Sequence, residues 1–453
     1  MRLALAHAGA AIDPPAGPSK RLIIAFAFPP FATASGNVMA RRLGWRGERV
    51  DVISNDMSGR EGVDLSLYGV IAPLIGQHLV LDAENWPARA QPFADFADKT
   101  VAALGSGRFG APPYAEIYSR SMWAQSHFAA AAALAAGHGE SWTAEFSDPC
   151  RRDLNGQPAG APADDDWLER SRIADLLRAR GHAVPKGRPL MFWAEYLPFC
   201  LADRLIFTNE VQRRMMLSQP EDPADLRARA ASVSGIAPQP GPGPLMQAAI
   251  PLPRPLRGPL WLGYFGNTNP RRGLSDLLHA MSGLPAHLGG RIRLLIHGQP
   301  GQDLHALIRA LNIAPLVDIH PSLDYLDALA RMRAMDWLFV NDTASTGDGN
   351  PFLPSKLADY RASGRPVLAF AEPGSPLSGA TLPPGSIRVD MGDARARLDA
   401  LIRIASAGEE TLQSQAAGGT WPADAEKAFH DETIDGFRHA PRGDQDGPSG
   451  QGD

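Results

Sequence analysis

Apolar positions in this chain fall into short unbroken runs, separated by longer amphipathic or alanine-rich stretches. Arg21-Leu-Ile-Ile-Ala-Phe-Ala-Phe-Pro29 is the first such run. A run without alternation suits a parallel strand covered on both faces, because a half-exposed strand would alternate apolar with polar. Pro29-Pro30 ends it, the small-residue loop Phe31–Asn37 follows, and then come a helix over Val38–Gly47 and a strand over Val50–Ser54. Further strands are expected at Ala115–Arg120, Trp142–Phe146 and Arg204–Thr208, with an alanine-rich helix over 127–136. Residues 151–190 read as an inserted loop and a helix, with Asp164-Asp165-Asp166 in the loop.

The pattern then starts again. Strands are expected at Leu260–Phe265, Ile292–Ile296, Val317–His320, Trp337–Val340 and Pro366–Phe370. Helices from Ser275, over Asp303–Leu311, over Tyr325–Met335 and over about 394–407 separate or follow them. Strand–helix alternation of this kind predicts parallel sheets in an α/β fold. Between the two series, 235–259 (GIAPQPGPGPLMQAAIPLPRPLRGP) carries too many prolines for a regular element, since each removes a donor and fixes φ. The reading is therefore a flexible arm at 1–20, one Rossmann-like domain at 21–236, a linker at 237–258 and a second Rossmann-like domain at 259–408. A helical or disordered tail at 409–453 completes it.

Length agrees with two domains, because 453 residues exceed one ordinary core. A net charge of −5 argues against a nucleic-acid partner. Two cysteines, Cys150 and Cys200, make neither a disulfide framework nor a zinc site and fit a reducing, cytoplasmic setting. The 12 histidines show no metal spacing. No apolar run reaches the ~18 residues of a membrane span. The start, MRLALAHAGAA, is broken by His7 and reads as a loose arm rather than an export signal. Asp164–Asp166 lack a flanking strand and read as a solvated acidic run.

Two segments carry candidate chemistry. In Asn350–Pro366 (NPFLPSKLADYRASGRP), a glycine-containing loop enters a helix at Pro354-Ser355-Lys356, with Leu357 and Asp359 in its first turns. A helix N-terminus offers N–H groups and the positive end of its dipole, which suits a diphosphate. Asp359 is placed to accept hydrogen bonds from ribose hydroxyls. An ordinary capped helix would look much the same. The second segment, Gly266-Asn267-Thr-Asn-Pro-Arg271-Arg272-Gly273, is a basic loop at a strand end.

The order of these features resembles the family 4 glycosyltransferases of the GT-B fold, in which two Rossmann-like domains face a cleft. The subgroup resembled carries Pro-Ser-Lys-Leu, an acid, Tyr, and Ala-Ser-Gly-basic-Pro. Pro354, Ser355, Lys356, Leu357, Asp359, Tyr360, Ala362, Ser363, Gly364, Arg365 and Pro366 match it. Phe28-Pro29-Pro30, Ser35-Gly36 and Arg46-Gly47 match near the N-terminus, and the resemblance spans roughly residues 22 to 408.

That resemblance implies transfer of a sugar from a UDP- or GDP-sugar to a glycan or lipid-linked hydroxyl, with retention and without metal or other cofactor. It implies Arg272, or Arg271, and Lys356 on the leaving diphosphate. Asp359 would lie on the ribose, and Gly36, Gly266, Asn267, Pro321, Ser322, Pro354, Ser355 and Leu357 would line the donor site. Asp148 is the acidic group on the N-domain side of the cleft, with Arg120 and Glu210 as further strand-end groups. Many relatives carry a first glutamate where this chain has Pro351, which leaves Asp348 or Asn350 to replace it. A sugar-nucleotide epimerase, a non-catalytic nucleotide-sugar-binding scaffold and a two-lobed small-ligand binder are the alternatives. Arg41, Arg42, Arg46 and Arg49, on or just after the first helix, suggest peripheral contact with an anionic membrane face.

Overall fold

The computed structural model describes residues 18–85, 89–151, 159–268, 274–301, 303–343 and 349–407. Among them the N-terminal sheet contains β1 (Arg21–Ile24), β2 (Val50–Asn55), β3 (Ile75–Leu81), β4 (Glu116–Arg120), β5 (Trp142–Glu145), β6 (Arg204–Phe207) and β7 (Ser234–Ile236). The order is β3-β2-β1-β4-β5-β6-β7, and every neighbouring pair is parallel. Its helices are α1 (Ala34–Arg46), α2 (Leu65–Ile71), α3 (Gln91–Gly105), α4 (Gln125–Ala135), α5 (Asp165–Arg170), α6 (Ile173–Ala179), α7 (Leu190–Leu201), α8 (Glu210–Leu217) and α9 (Ala224–Ser232). A short helix, α10 (Pro244–Ala249), lies in the connecting segment.

The C-terminal sheet contains β8 (Leu260–Phe265), β9 (Ile292–His297), β10 (Val317–His320), β11 (Trp337–Asn341), β12 (Val367–Ala371) and β13 (Ile387–Asp390). It runs β10-β9-β8-β11-β12-β13 and is again parallel throughout. Its helices are α11 (Ser275–Ser282), α12 (Ala286–Gly289), α13 (Leu304–Ala310), α14 (Tyr325–Arg333), α15 (Lys356–Ser363), α16 (Pro376–Gly379) and α17 (Ala394–Ser406). Each sheet reverses its strand order once, between β1 and β4 and between β8 and β11. Open parallel sheets bind ligands at such reversals, beyond the carboxyl ends of the strands.

Local chemistry explains the element boundaries. The Thr33 side chain accepts the Gly36 N–H, and α1 starts earlier than the sequence suggests. Gly47 closes that helix at φ 62°, with its N–H on Leu43 O. The strands β2, β4 and β12 are buried at every position, and the charged and polar groups of β2 and β4 find partners inside the protein. The expectation of no regular element in 235–259 is corrected. Pro244 stands in the first turn of α10, where its missing N–H costs nothing, and Met246 of that helix is fully buried. The acidic run is corrected too. Asp164 caps α5 by accepting the Trp167 N–H, and Asp165 and Asp166 lie in the first turn, favoured by the helix dipole. Two helices and then α7 occupy a region where one helix was expected.

One apolar core fills the N-domain between its sheet and α3, α4 and α7, where Ala129–Ala133 let the helices approach closely. Another lies on the outer face of the C-domain sheet. A third runs across the domain boundary. It joins Met39, Ala40, Leu43 and Leu67 to Tyr325, Leu326, Leu329, Leu357 and Tyr360. Among the described residues no helix is long and apolar enough to cross a membrane.

Candidate functional site

The C-domain reversal brings the start of α15 beside Gly266, where the second sequence-predicted segment begins. The β8 strand is followed by Gly266, which adopts φ +132°. A Cβ on Gly266 would lie 3.3 Å from Lys356 Nζ, so the lysine head sits directly over this backbone. Lys356 is the first residue of α15, and its ammonium also lies 3.5 Å from the centroid of the Tyr264 ring. Beside Gly266, a Cβ on Gly298 would lie 2.2 Å from Gly266 O, so glycine is required for the two strand ends to meet. Asn267 accepts the Gln299 N–H at 2.9 Å, and the Thr268 hydroxyl accepts the Gly301 N–H at 2.8 Å.

Ser355 holds the N-cap position of α15 but makes no side-chain capping bond. Pro354 O accepts the Leu357 N–H at 3.0 Å, Leu357 is buried, and the helix ends at Gly364 with φ 71°. Tyr360 anchors the helix to β8 by accepting the Phe265 N–H at 3.0 Å.

Asp359 lies where the sequence places it, one turn into α15, but in different surroundings. It is 8% exposed and ion-paired with Arg41 of α1, from the other domain. Asp359 Oδ1 also accepts the Tyr325 hydroxyl at 2.7 Å, while that hydroxyl accepts Arg41 Nη1 at 3.3 Å. Burial works against the Arg41 charge, yet Asp359 and Tyr325 outweigh it and raise the guanidinium pKa. Burial also pushes the Tyr325 phenol well up.

The loop entering α15 is tied to the sheet. Asn350 is buried, donates from Nδ2 to Thr343 O at 2.8 Å and to Glu372 Oε2 at 3.0 Å, and accepts the Phe352 N–H. Its amide serves the loop. Asp342, fully buried at the end of β11, accepts the Glu372 N–H and the Ser375 hydroxyl, and its Oδ1 has no partner among the described residues. Burial pushes its pKa up to about 6.

On the N-domain side the dominant acid is one the sequence reading did not select. Glu145 ends β5 with no exposed surface and gathers donors from two arginines and a tyrosine. Arg42 Nε donates to it at 3.1 Å, Arg120 Nε at 3.0 Å, and the Tyr118 hydroxyl also donates. Arg120 reaches Ser35 at the start of α1, and Arg42 reaches Ala237 O at 2.7 Å. Burial alone would raise the Glu145 pKa, but Arg42 and Arg120 bring it down to about 2. Asp148, three residues on, is half-buried in irregular backbone, where no helix starts, and is not the centre of this cluster. Glu210 starts α8 and pairs with Arg213.

Gly36 lies in the first turn of α1, where a Cβ would come within 2.9 Å of Thr33 Oγ1. Pro321 O meets His297 Nδ1 at 3.0 Å, and the Phe265, His297 and His320 rings form a stack beside Pro321 and Ser322. Arg271, Arg272 and Asp348 lie outside the described residues. Of the four arginines expected to meet lipid, Arg41 and Arg42 are buried in ion pairs, Arg46 stacks on Tyr118, and Arg49 is half-buried. A residue-by-residue sequence reading has no signal for these pairings, which join positions far apart in the chain.

No protein-family model matches the chain, and no curated protein matches it by sequence. Solved structures do match its backbone. The catalytic domain of starch synthase IV from Arabidopsis thaliana, bound to ADP and acarbose, superposes with a TM-score of 0.59 at 12% identity, over 94% of this chain and 100% of that one. Sucrose-phosphate synthase from Thermosynechococcus elongatus gives 0.57 at 15% identity, over 92% and 98%. HepE of Anabaena, in complex with UDP and glucose, gives 0.56 at 13% identity, over 92% and 99%. Matches that cover both chains almost end to end, together with two parallel sheets of the same plan, establish that this chain has the GT-B fold.

Proposed function

We propose that the protein transfers a glycosyl group from a nucleotide-sugar to an acceptor hydroxyl. The observation that carries this reading is the start of α15. Ser355 at its N-cap position makes no capping bond, and Lys356 sits over the Gly266 backbone at the sheet reversal. Backbone N–H groups, a helix dipole and an ammonium together suit a diphosphate. The leaving group gains charge as the glycosidic bond breaks, so donors fixed in a cleft stabilise that transition state more than the ground state. Arg271 and Arg272, in the loop after β8, are further candidates for the same charge. Asp359 is the candidate ribose acceptor.

The GT-B proteins above that are bound to UDP and glucose or to ADP support a UDP- or ADP-sugar donor, and a GDP-sugar is the other donor of the proposal. Membership of family 4 and its Pro-Ser-Lys subgroup, retention of configuration and metal independence belong to the same proposal, as do a glycan or lipid-linked acceptor and a cytoplasmic site of action. The test is incubation with radiolabelled nucleotide-sugars and glycan acceptors. Acceptor-dependent release of nucleoside diphosphate supports transfer. Nucleotide binding without turnover for any donor favours the scaffold alternative.

A further inference from the structure

We infer that Arg41 is a positioning residue for the donor, holding the Asp359 carboxylate across the domain boundary and so coupling nucleotide binding to the arrangement of the two domains. The inference rests on the proposed function, which gives Asp359 a ribose to bind. Asp359 uses one oxygen, Oδ1, for both Arg41 and the Tyr325 hydroxyl. Its Oδ2 makes no hydrogen bond among the described residues, and the side chain keeps 12% of its surface exposed, against 2% for Arg41. One edge of the carboxylate is therefore locked by protein, and the other remains for a ligand hydroxyl. A carboxylate already held in one rotamer binds without losing that freedom again.

The lock is anchored from several directions. The Tyr325 N–H donates to Asp64 Oδ2 of the N-domain at 2.7 Å, while Asp64 Oδ1 caps α2. Arg42, next to Arg41 on α1, is fixed to Glu145 and to Ala237 O. Helix α1 thus carries one arginine into each domain. If the domains parted, Arg41 would lose its counter-charge, and a buried guanidinium without a partner is costly. Closure satisfies Arg41 and orients Asp359 in the same step.

The test uses the full chain with the variants Arg41→Met, Arg41→Lys and Tyr325→Phe. UDP, GDP and ADP are titrated calorimetrically, and the radius of gyration is followed by small-angle scattering with and without nucleotide. Arg41→Met is expected to weaken nucleotide binding about tenfold or more and to expand the free protein, because a charged hydrogen bond is lost. Arg41→Lys should recover part of both effects. Tyr325→Phe removes a single hydroxyl and should weaken binding about threefold with an unchanged circular dichroism spectrum. It carries the test if Arg41→Met does not fold. Wild-type affinity in the folded variants, or tighter binding, would overturn the coupling while leaving the proposed function intact. A wild-type chain that binds no nucleotide would overturn the proposed function, and the inference with it.

Discussion

Replacing Glu145 with alanine should be among the most damaging single changes in the N-domain. The carboxylate is fully buried and lies between Arg42 and Arg120, which are 6% and 3% exposed. Its removal leaves two buried guanidinium groups facing each other without a counter-charge, at a cost of about 3–5 kcal/mol. The pH dependence leads independently to a similar figure. The Glu145 pKa falls from an ordinary 4.5 to about 2 in the folded protein, because the two arginines outweigh the effect of burial. That difference corresponds to about 3 kcal/mol of stability near neutral pH. Because the folded value is the lower one, this stability is fully present above pH 4.5 and is lost as pH falls toward about 2. Urea unfolding of wild type, Glu145→Ala and Glu145→Gln near pH 7, pH 4 and pH 3 would measure both quantities, since most of the loss falls below pH 4. Glu145→Gln keeps the shape but not the charge, so it should lack this part of the acid sensitivity. A loss under about 1 kcal/mol for Glu145→Ala, or equal acid sensitivity in wild type and Glu145→Gln, would refute the reasoning.

Two further outcomes follow from the C-domain. Gly298→Ala should destabilise that domain by about 1–3 kcal/mol or more, since the new methyl would meet Gly266 O at 2.2 Å and neither strand end can yield without losing backbone bonds; thermal unfolding reads it, and a wild-type midpoint would contradict it. Asp342 has the opposite sign to Glu145. Its folded pKa of about 6 lies above the ordinary 3.8, so it costs stability as pH rises through that interval, and Asp342→Asn should gain stability relative to wild type at pH 7 but not at pH 4 in the same urea experiment.

Strands buried on both faces were the most legible elements in the sequence, because an unbroken apolar run of strand length between turn residues fits little else in an α/β chain. The strands β1, β8 and β12 stood out in this way. The edge strand β3 did not, because its positions are only partly buried and Gly76 and His78 interrupt the pattern. Helix α10 was hidden by the prolines around it, although Pro244 is at the one helical turn that tolerates it. The site was legible where chemistry is local. Lys356 and the start of α15 adjoin the β8 turn, as the motif suggests. It was not legible where chemistry is long-range. Arg41 and Asp359 are 318 positions apart, and nothing near either one marks it as the other's partner. Arg41 and Arg42, expected to face an anionic membrane, are buried because their carboxylate partners arrive from the other domain and from a distant strand.

The central claim is that the start of α15 and the end of β8 hold a nucleoside diphosphate. Calorimetric titration of the full chain with UDP, GDP and ADP tests it most directly, alongside the matching monophosphates and nucleosides, in wild type and in Lys356→Met. The expected result is one diphosphate per chain, bound more tightly than its monophosphate. Lys356→Met should weaken it by about 1.5–3 kcal/mol without changing the circular dichroism spectrum. Absence of binding by every nucleotide, or equal affinity in wild type and Lys356→Met, would contradict the account.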